Sequence, residues 1–226
     1  MRAQDYPLEK VEILLVGSPA QAKEWEPLAL TPSPFAAINA IAAPGQSYYM
    51  LKNRGAACAA GEILAFLDSD VCPGPGWLRV LTDDIRKGAD ATCGPSMFQS
   101  SDPASASRLS HLIAAAISWG FIIGSRGTAR GFLSHNLGFR KAVFDQLRYR
   151  TEFGRTCAGS FLMEDMRRSG VCPVFQSKQR VLHRFAWKWW IAKLHVRFGH
   201  EVYLLHRLDS KMVSSAASRL GPRRKA

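Results

Sequence analysis

Residues 61–78, GEILAFLDSDVCPGPGWL, run five apolar side chains from Ile63 to Leu67 straight into Asp68 and Asp70. A short apolar run bounded by turn residues reads as a buried strand, and this one ends in two negative charges. Residues two apart on an extended strand face the same side, so both carboxylates converge on one point if the chain stays extended. Hard divalent cations such as Mg²⁺ or Mn²⁺ take oxygen ligands and typically keep one or two carboxylates together with phosphate oxygens. The pair therefore points to a metal–diphosphate site. The plainer alternative is that one aspartate caps the next element and the other is solvated, which is common for so short a motif.

The elements around the pair alternate between strand and helix. VEILLVG (11–17) is a continuous apolar run ended by Gly, as expected of a strand buried on both faces. A Pro-rich stretch through Pro44 reads as loops around a short strand. KNRGAACAAGE (52–62) has a helix composition and feeds directly into ILAFL, and WLRVLTDDIRKG (77–88) resumes helical spacing up to Gly88. ADATCGPSM and FLSHNLGFR read as strands, KAVFDQL as a short helix, MEDMRRSG as a helix end at Gly170, and VCPVFQSKQRVLH as extended chain. From Asp102 and Pro103 a long apolar helix is expected to about Gly124, followed by a basic loop, GSRGTARG. Its most apolar part, HLIAAAISWGFIIG, falls short of the ~18–20 residues needed to span a bilayer. This alternation predicts an α/β fold with a mostly parallel sheet, whose strand ends open onto a ligand crevice where Asp68 and Asp70 fall.

Composition sets the outer limits. With 226 residues, 47% hydrophobic and 21% charged, the chain suits one well-packed domain and is too apolar to be disordered. The formal charge of +12 is lopsided: residues 1–125 hold 9 Lys/Arg against 12 Asp/Glu, and residues 126–226 hold 21 against 6. The second half therefore favours an anionic partner, whether nucleic acid, phosphorylated ligand or acidic lipid. Five widely spaced cysteines form no C-x-x-C pair, which argues against a disulfide framework or zinc knuckle and for a reducing compartment. MRAQDYPLEK lacks the apolar core of a signal peptide, so a cytoplasmic location is expected.

Read together, KNRGAACAAGEILAFLDSDVCPGPGWLRVL resembles the central signature of family 2 glycosyltransferases of the GT-A fold. The order is a basic-Asn-x-Gly start, an Ala-rich helix, Gly-Glu, an apolar strand, D-x-D, then Pro-x-x-Trp-Leu. MRAQDYPLEKVEILLVG is similar to the segment leading into the family's second strand, and HNLGFRKAVFDQL to its acceptor-side Asn-x-x-Phe-Arg element. The resemblance covers residues 1 to about 185. It implies a Rossmann-like α/β sheet and transfer of a sugar from a nucleotide-diphosphate sugar to a hydroxyl acceptor, with Mn²⁺ or Mg²⁺ as cofactor. Asp70 is implied as the metal ligand, Asp68 as its neighbour near metal and ribose, and His183 as a third ligand or phosphate contact. Lys52, Asn53 and Arg54 fall where the family lines its donor pocket, while Asn136 and Arg140 fall on the acceptor side. Of the acidic pair that supplies the general base of an inverting enzyme, Asp165 is the first candidate, with Glu164 beside it and Glu152 in reserve.

The pattern departs in two places. Counted back from Gly170, the family's acidic pair falls on Ala158 and Gly159, so Glu164 and Asp165 suit the role only if GRTCAGSF is a loop that has slid them. The family's first strand and helix are expected ahead of MRAQDYP, and their absence predicts a gap between neighbouring strands with unpaired backbone groups. Beyond the domain, residues 186–226 form a basic aromatic tail. Trp187, Trp190, Ile191 and Leu194 recur at helical spacing among Lys188, Lys193 and Arg197, which suits an anionic membrane surface and a lipid-linked acceptor. No nucleic-acid-binding module is recognisable. The alternative to an enzyme is a catalytically silent, membrane-associated or structural remnant of the fold. Nucleotidyl transfer comes third, since no Gly-rich basic loop opens the chain.

Overall fold

A computed structural model describes residues 1–100, 132–152 and 158–185, all within one compact unit. The expected helix at 103–124, the basic loop after it and the tail at 186–226 lie outside the described residues. The EILLVG run forms β1 (Glu12–Gly17), which pairs in parallel with β2 (Ala37–Ala42) from Glu12↔Ala37 to Gly17↔Ala42. Between them lies α1 (Pro19–Leu30), where the Pro-rich composition pointed to loops. Its start is set by a capping box: Ser18 Oγ accepts from Gln21 N, Gln21 Oε1 accepts from Ser18 N, and Pro19 takes the first turn, where no N–H is needed. Only Ala22 of this helix is buried, so no apolar period announces it.

The next elements follow the expected order. They are α2 (Tyr48–Cys58), β3 (Ile63–Phe66), β4 (Val71–Pro73), α3 (Trp77–Arg86), β5 (Ala91–Cys93) and β6 (Ser96–Ser100). After the undescribed segment come β7 (Leu137–Arg140), α4 (Lys141–Leu147), α5 (Ala158–Arg168), β8 (Val174–Phe175) and β9 (Val181–Phe185). The strands fall into sheets ordered β1-β2, β3-β7-β5-β8 and β4-β9-β6. The pairing is mixed rather than mostly parallel, because β7 lies between β3 and β5 and runs against both.

Strand alternation divides the core into two layers. Leu64 and Phe66 of β3 pack with Tyr49 and Ala56 of α2, Phe144 of α4 and Leu162 of α5. Ile63 and Leu67 face the other way, toward Trp77, Leu81 and Ile85 of α3. Helix α3 reaches β7 closely at Gly138, where an added Cβ would lie 2.5 Å from Leu81 Cγ. Gly170, at φ +75°, supplies the left-handed residue just beyond α5. Although β1 and β3 are neighbours in the fold, they belong to separate sheets, and a cavity of about 720 Å³ lies between them. Among the described residues no helix is long and apolar enough to cross a membrane.

Candidate functional site

Beyond β3 the chain does not stay extended. Val71 N donates to Asp68 O at 3.1 Å, closing a turn over Asp68–Val71. The expected convergence of the two carboxylates is corrected by this turn, which sends them apart. Asp68 points inward, where Lys52 Nζ donates to Oδ1 at 2.7 Å and the Tyr48 hydroxyl donates to Oδ2 at 2.6 Å. Tyr48 and Lys52 are one turn apart on α2, so a single helix face delivers both donors. Ser134 Oγ lies 3.1 Å from the Tyr48 hydroxyl. Burial alone would raise the Asp68 pKa, but the Lys52 charge and the two hydrogen bonds outweigh it, leaving the carboxyl below its ordinary value. Burial, then the Asp68 charge, pushes the Tyr48 hydroxyl well up, so it remains a protonated donor.

Asp70 stays half exposed on the outside of the turn, with its Oδ2 3.2 Å from His183 Nε2. The β4–β9 ladder explains the meeting: it sets His183 opposite Val71, and Arg184 N donates to Asp70 O at 2.9 Å. The His135 ring lies 4.5 Å from the His183 ring, and its Nε2 is 2.8 Å from Ser96 Oγ. Burial first, and His183 second, push the His135 pKa down to about 3, so this imidazole is neutral near pH 7. Among the described residues no three His, Cys, Asp or Glu side chains gather as a metal cage. Asp70 and His183 are adjacent, whereas both Asp68 oxygens are engaged by α2.

The other expected site residues separate. Lys52, Asp68 and Asp70 line the cavity. Asn53 is tied to the backbone of Tyr149, donating to its O at 2.8 Å and accepting from its N at 3.0 Å, and Arg54 is exposed. Asn136 is fully buried: its Oδ1 accepts from Trp77 Nε1 at 2.8 Å, and its Nδ2 donates to Gln179 O at 2.9 Å and Pro95 O at 3.1 Å. It is a clamp between α3 and the loops beside β6 and β9, with its side-chain amide engaged by protein groups. Arg140 borders the cavity but donates to Ile85 O at 2.9 Å, binding the carbonyl end of α3.

The acidic pair sits elsewhere. Ala158–Phe161 are already helical, so GRTCAGSF does not act as a loop through its last residues, and Glu164 and Asp165 fall in the later turns of α5. Asp165 is held by both Nε and Nη2 of Arg150, and Glu164 by Arg167 and Arg168. Hydrogen bonding from Arg167, above all, lowers the Glu164 pKa to about 2. Neither residue lines the cavity, and Glu152 is exposed in a turn. Tyr48, Ser134, His135 and Ser96 complete the site and were not anticipated. The Tyr-x-x-x-Lys spacing ahead of the D-x-D strand was the one sequence signal for any of them.

The model of the family described as Glycosyl transferase family 2 matches residues 51–154, which hold α2 from Leu51 onward, the D-x-D turn and the Asn136–Arg140 element. Among solved structures, S. aureus TarS is similar at TM-score 0.52 and 12% identity over 81% of this chain and 32% of that one. GalNAc-T7, solved with UDP, GalNAc and Mn²⁺, is similar at TM-score 0.58 and 12% identity over 79% of this chain and 38% of that one. The chain thus spans about a third of the length of these structures. No curated protein sequence matches. The matched segment holds the D-x-D turn and is similar to family 2 glycosyltransferases, and the fold is of the GT-A type that both structures share.

Proposed function

We propose that the domain transfers a sugar from a nucleotide-diphosphate sugar to a hydroxyl acceptor, with inversion at the anomeric carbon. The observation that carries this reading is that Asp70, which lines the cavity together with Asp68 and Lys52, is paired with His183. One carboxylate and one imidazole, adjacent and partly open, fit a divalent cation that keeps positions for phosphate oxygens, so Asp70 and His183 would hold Mn²⁺ or Mg²⁺. Bound there, the cation would act as a Lewis acid toward the leaving diphosphate. Asp68 stays ionised, and each of its oxygens keeps a lone pair for a ribose hydroxyl beside the one used by α2. Lys52 holds that carboxylate in place, and neutral His135 packs behind His183. Asp165 serves as base only in a conformation that frees it from Arg150. The composition of the tail supports a lipid-linked acceptor and contact with the inner face of the cell membrane.

Calorimetric titration with UDP and GDP, with and without Mn²⁺, tests the reading. Metal-dependent binding lost in Asp70→Ala and His183→Gln is the expected result. Absence of binding with either diphosphate supports the second reading, a catalytically silent member of the fold. The engagement of Asp165 and Glu164 by arginines favours that alternative.

A further inference from the structure

The two halves of the Asp70–His183 pair are carried by a three-stranded sheet, separate from the one whose strand β3 leads into Asp68. Asp70 directly precedes β4, and His183 lies on β9. Their meeting therefore depends on strand register. Arg184 N donates to Asp70 O and Gly74 N to Arg180 O, both at 2.9 Å, so 70/184, 72/182 and 74/180 are the hydrogen-bonded pairs. Val71 and His183 face each other as a non-hydrogen-bonded pair between them. Since β4 has three residues, this ladder has little pattern of its own to hold it in place. A slip of one residue turns His183 to the other face, and a slip of two puts Val181 or Phe185 opposite Val71. Neither of those side chains can ligate a cation.

A buried set of polar side chains fixes where β9 and its other neighbour, β6, begin. Gln179, two residues ahead of β9, is completely buried, as are Thr92 of β5 and Asn136 beside β7. Thr92 Oγ1 donates to Gln179 Oε1 at 2.7 Å, and Gln179 Nε2 donates to Asn136 Oδ1 at 3.2 Å. Asn136 Nδ2 in turn holds Gln179 O and also Pro95 O, which accepts from Val181 N at 3.3 Å. Pro95 immediately precedes Ser96, the first residue of β6 and the ladder partner of Val181. Gly94 lets the two chains come this close, because an added Cβ there would overlap Gln179 O. The four-stranded sheet thus sets the origin of both strands, and His183 falls opposite Val71 by counting from Gln179. A side-chain amide suits this position, since its oxygen accepts from Thr92 while its nitrogen donates to Asn136. An ionised carboxylate could only accept, and an apolar isostere could do neither.

We propose that Gln179 is a positioning residue for His183: by fixing the register of β9 it sets an imidazole, rather than an apolar side chain, against Asp70. The proposal rests on the reading of Asp70 and His183 as the metal pair, while the register itself is measurable in the metal-free chain. Gln179 touches neither the cation nor a substrate and acts only through the strand it anchors.

Two readouts on the 226-residue chain test this without reference to activity. The first is the Hα–Hα nuclear Overhauser contact between Val71 and His183 without metal, strong in the parent because Cα atoms of such a pair lie only ~4.5 Å apart. The second is the affinity for Mn²⁺ alone, from water-proton relaxation. Gln179→Met keeps the side chain's length, removes both of its hydrogen bonds and leaves the Thr92 hydroxyl without its acceptor. Combining it with Thr92→Val removes both partners and should restore most of the lost Tm. Both variants should lose the Val71–His183 contact and bind Mn²⁺ about tenfold or more weakly, the double variant despite its recovered Tm. The proposal is overturned if Gln179→Met keeps the contact and an affinity within about twofold of the parent. It is equally overturned if the double variant regains both along with its Tm, as a merely structural role requires. Should Gln179→Met not fold, the double variant decides on the same two readouts. A parent that shows the contact but binds no Mn²⁺ counts against the metal reading, and the contact alone then decides whether Gln179 sets the register.

Discussion

Strand β1 and the β5–β7 pair are built from similarly apolar sequence, yet they end in different environments. Ala91, Cys93, Leu137 and Phe139 are completely buried, whereas Glu12–Val16 are only half-buried along their whole length. The cause is neighbours: β7 is paired on both edges and covered by α3 and α4, while β1 has β2 on one edge and the cavity on the other. An apolar run thus shows that a strand wants burial on two faces, and the rest of the fold decides whether it gets it. The largest test of this contrast is truncation on each side. Phe139→Ala should cost about 3–5 kcal/mol in urea unfolding, and Leu14→Ala about 1 kcal/mol, since its side chain is only partly buried. Equal losses would break the comparison.

The same contrast divides the two aspartates of the turn. Asp68 is an interior carboxylate neutralised by Lys52, while Asp70 is half exposed and, among the described residues, paired with an imidazole. Lys52→Met should destabilise by about 3 kcal/mol, the low end for breaking a buried pair because Asp68 keeps some solvent contact. Adding Asp68→Asn should recover most of that loss, whereas Asp70→Asn should stay within about 0.5 kcal/mol of the parent while removing metal-dependent nucleotide binding. A stability loss at Asp70 equal to that at Lys52 would mean that the turn, rather than the charge pair, is what matters.

A pH titration sharpens the distinction further. His135 has its pKa lowered from 6.5 to about 3, so between those values the unfolded chain binds a proton that the folded chain does not. Stability from this residue is fully present above pH 6.5 and falls as pH drops toward 3, with a slope of at most about 1.4 kcal/mol per pH unit. Asp68, also lowered, adds its loss only below its ordinary 3.8, in a separate and more acidic window. Unfolding midpoints from pH 7 to 4.5 should therefore decline in the parent and flatten in His135→Asn. A parent curve that is level down to pH 5 would show that His135 is not held neutral.

How far the site could be read ahead of the structure follows from the physics of each part. The D-x-D strand, α3 and α4 were legible because their apolar periods and stop signals are local. The inward turn of Asp68 was not, because it depends on donors from α2 sixteen and twenty residues earlier. Asn136 was assigned to an acceptor, but it serves to satisfy the indole N–H of Trp77 and two loop carbonyls, a need created only when α3 packs. Asp165 kept its place in a helix while its partner, Arg150, came from beyond the helix start.

Helix α1 is the one element whose missed signal was itself local, Ser18-Pro-x-Gln21, and it gives the finest probe of the two regions. Ser18→Ala removes the cap and should cost about 1 kcal/mol. Where that cost registers depends on how α1 is coupled to the rest. It packs on β1 and β2 with only Ala22 buried, so its tie to the four-stranded sheet runs through β1, across the cavity. If the two regions unfold as one, the loss should lower the single Tm by about 2–4 °C. If the open edge of β1 uncouples them, Tm should hold and the α1 amides alone should exchange about fivefold faster.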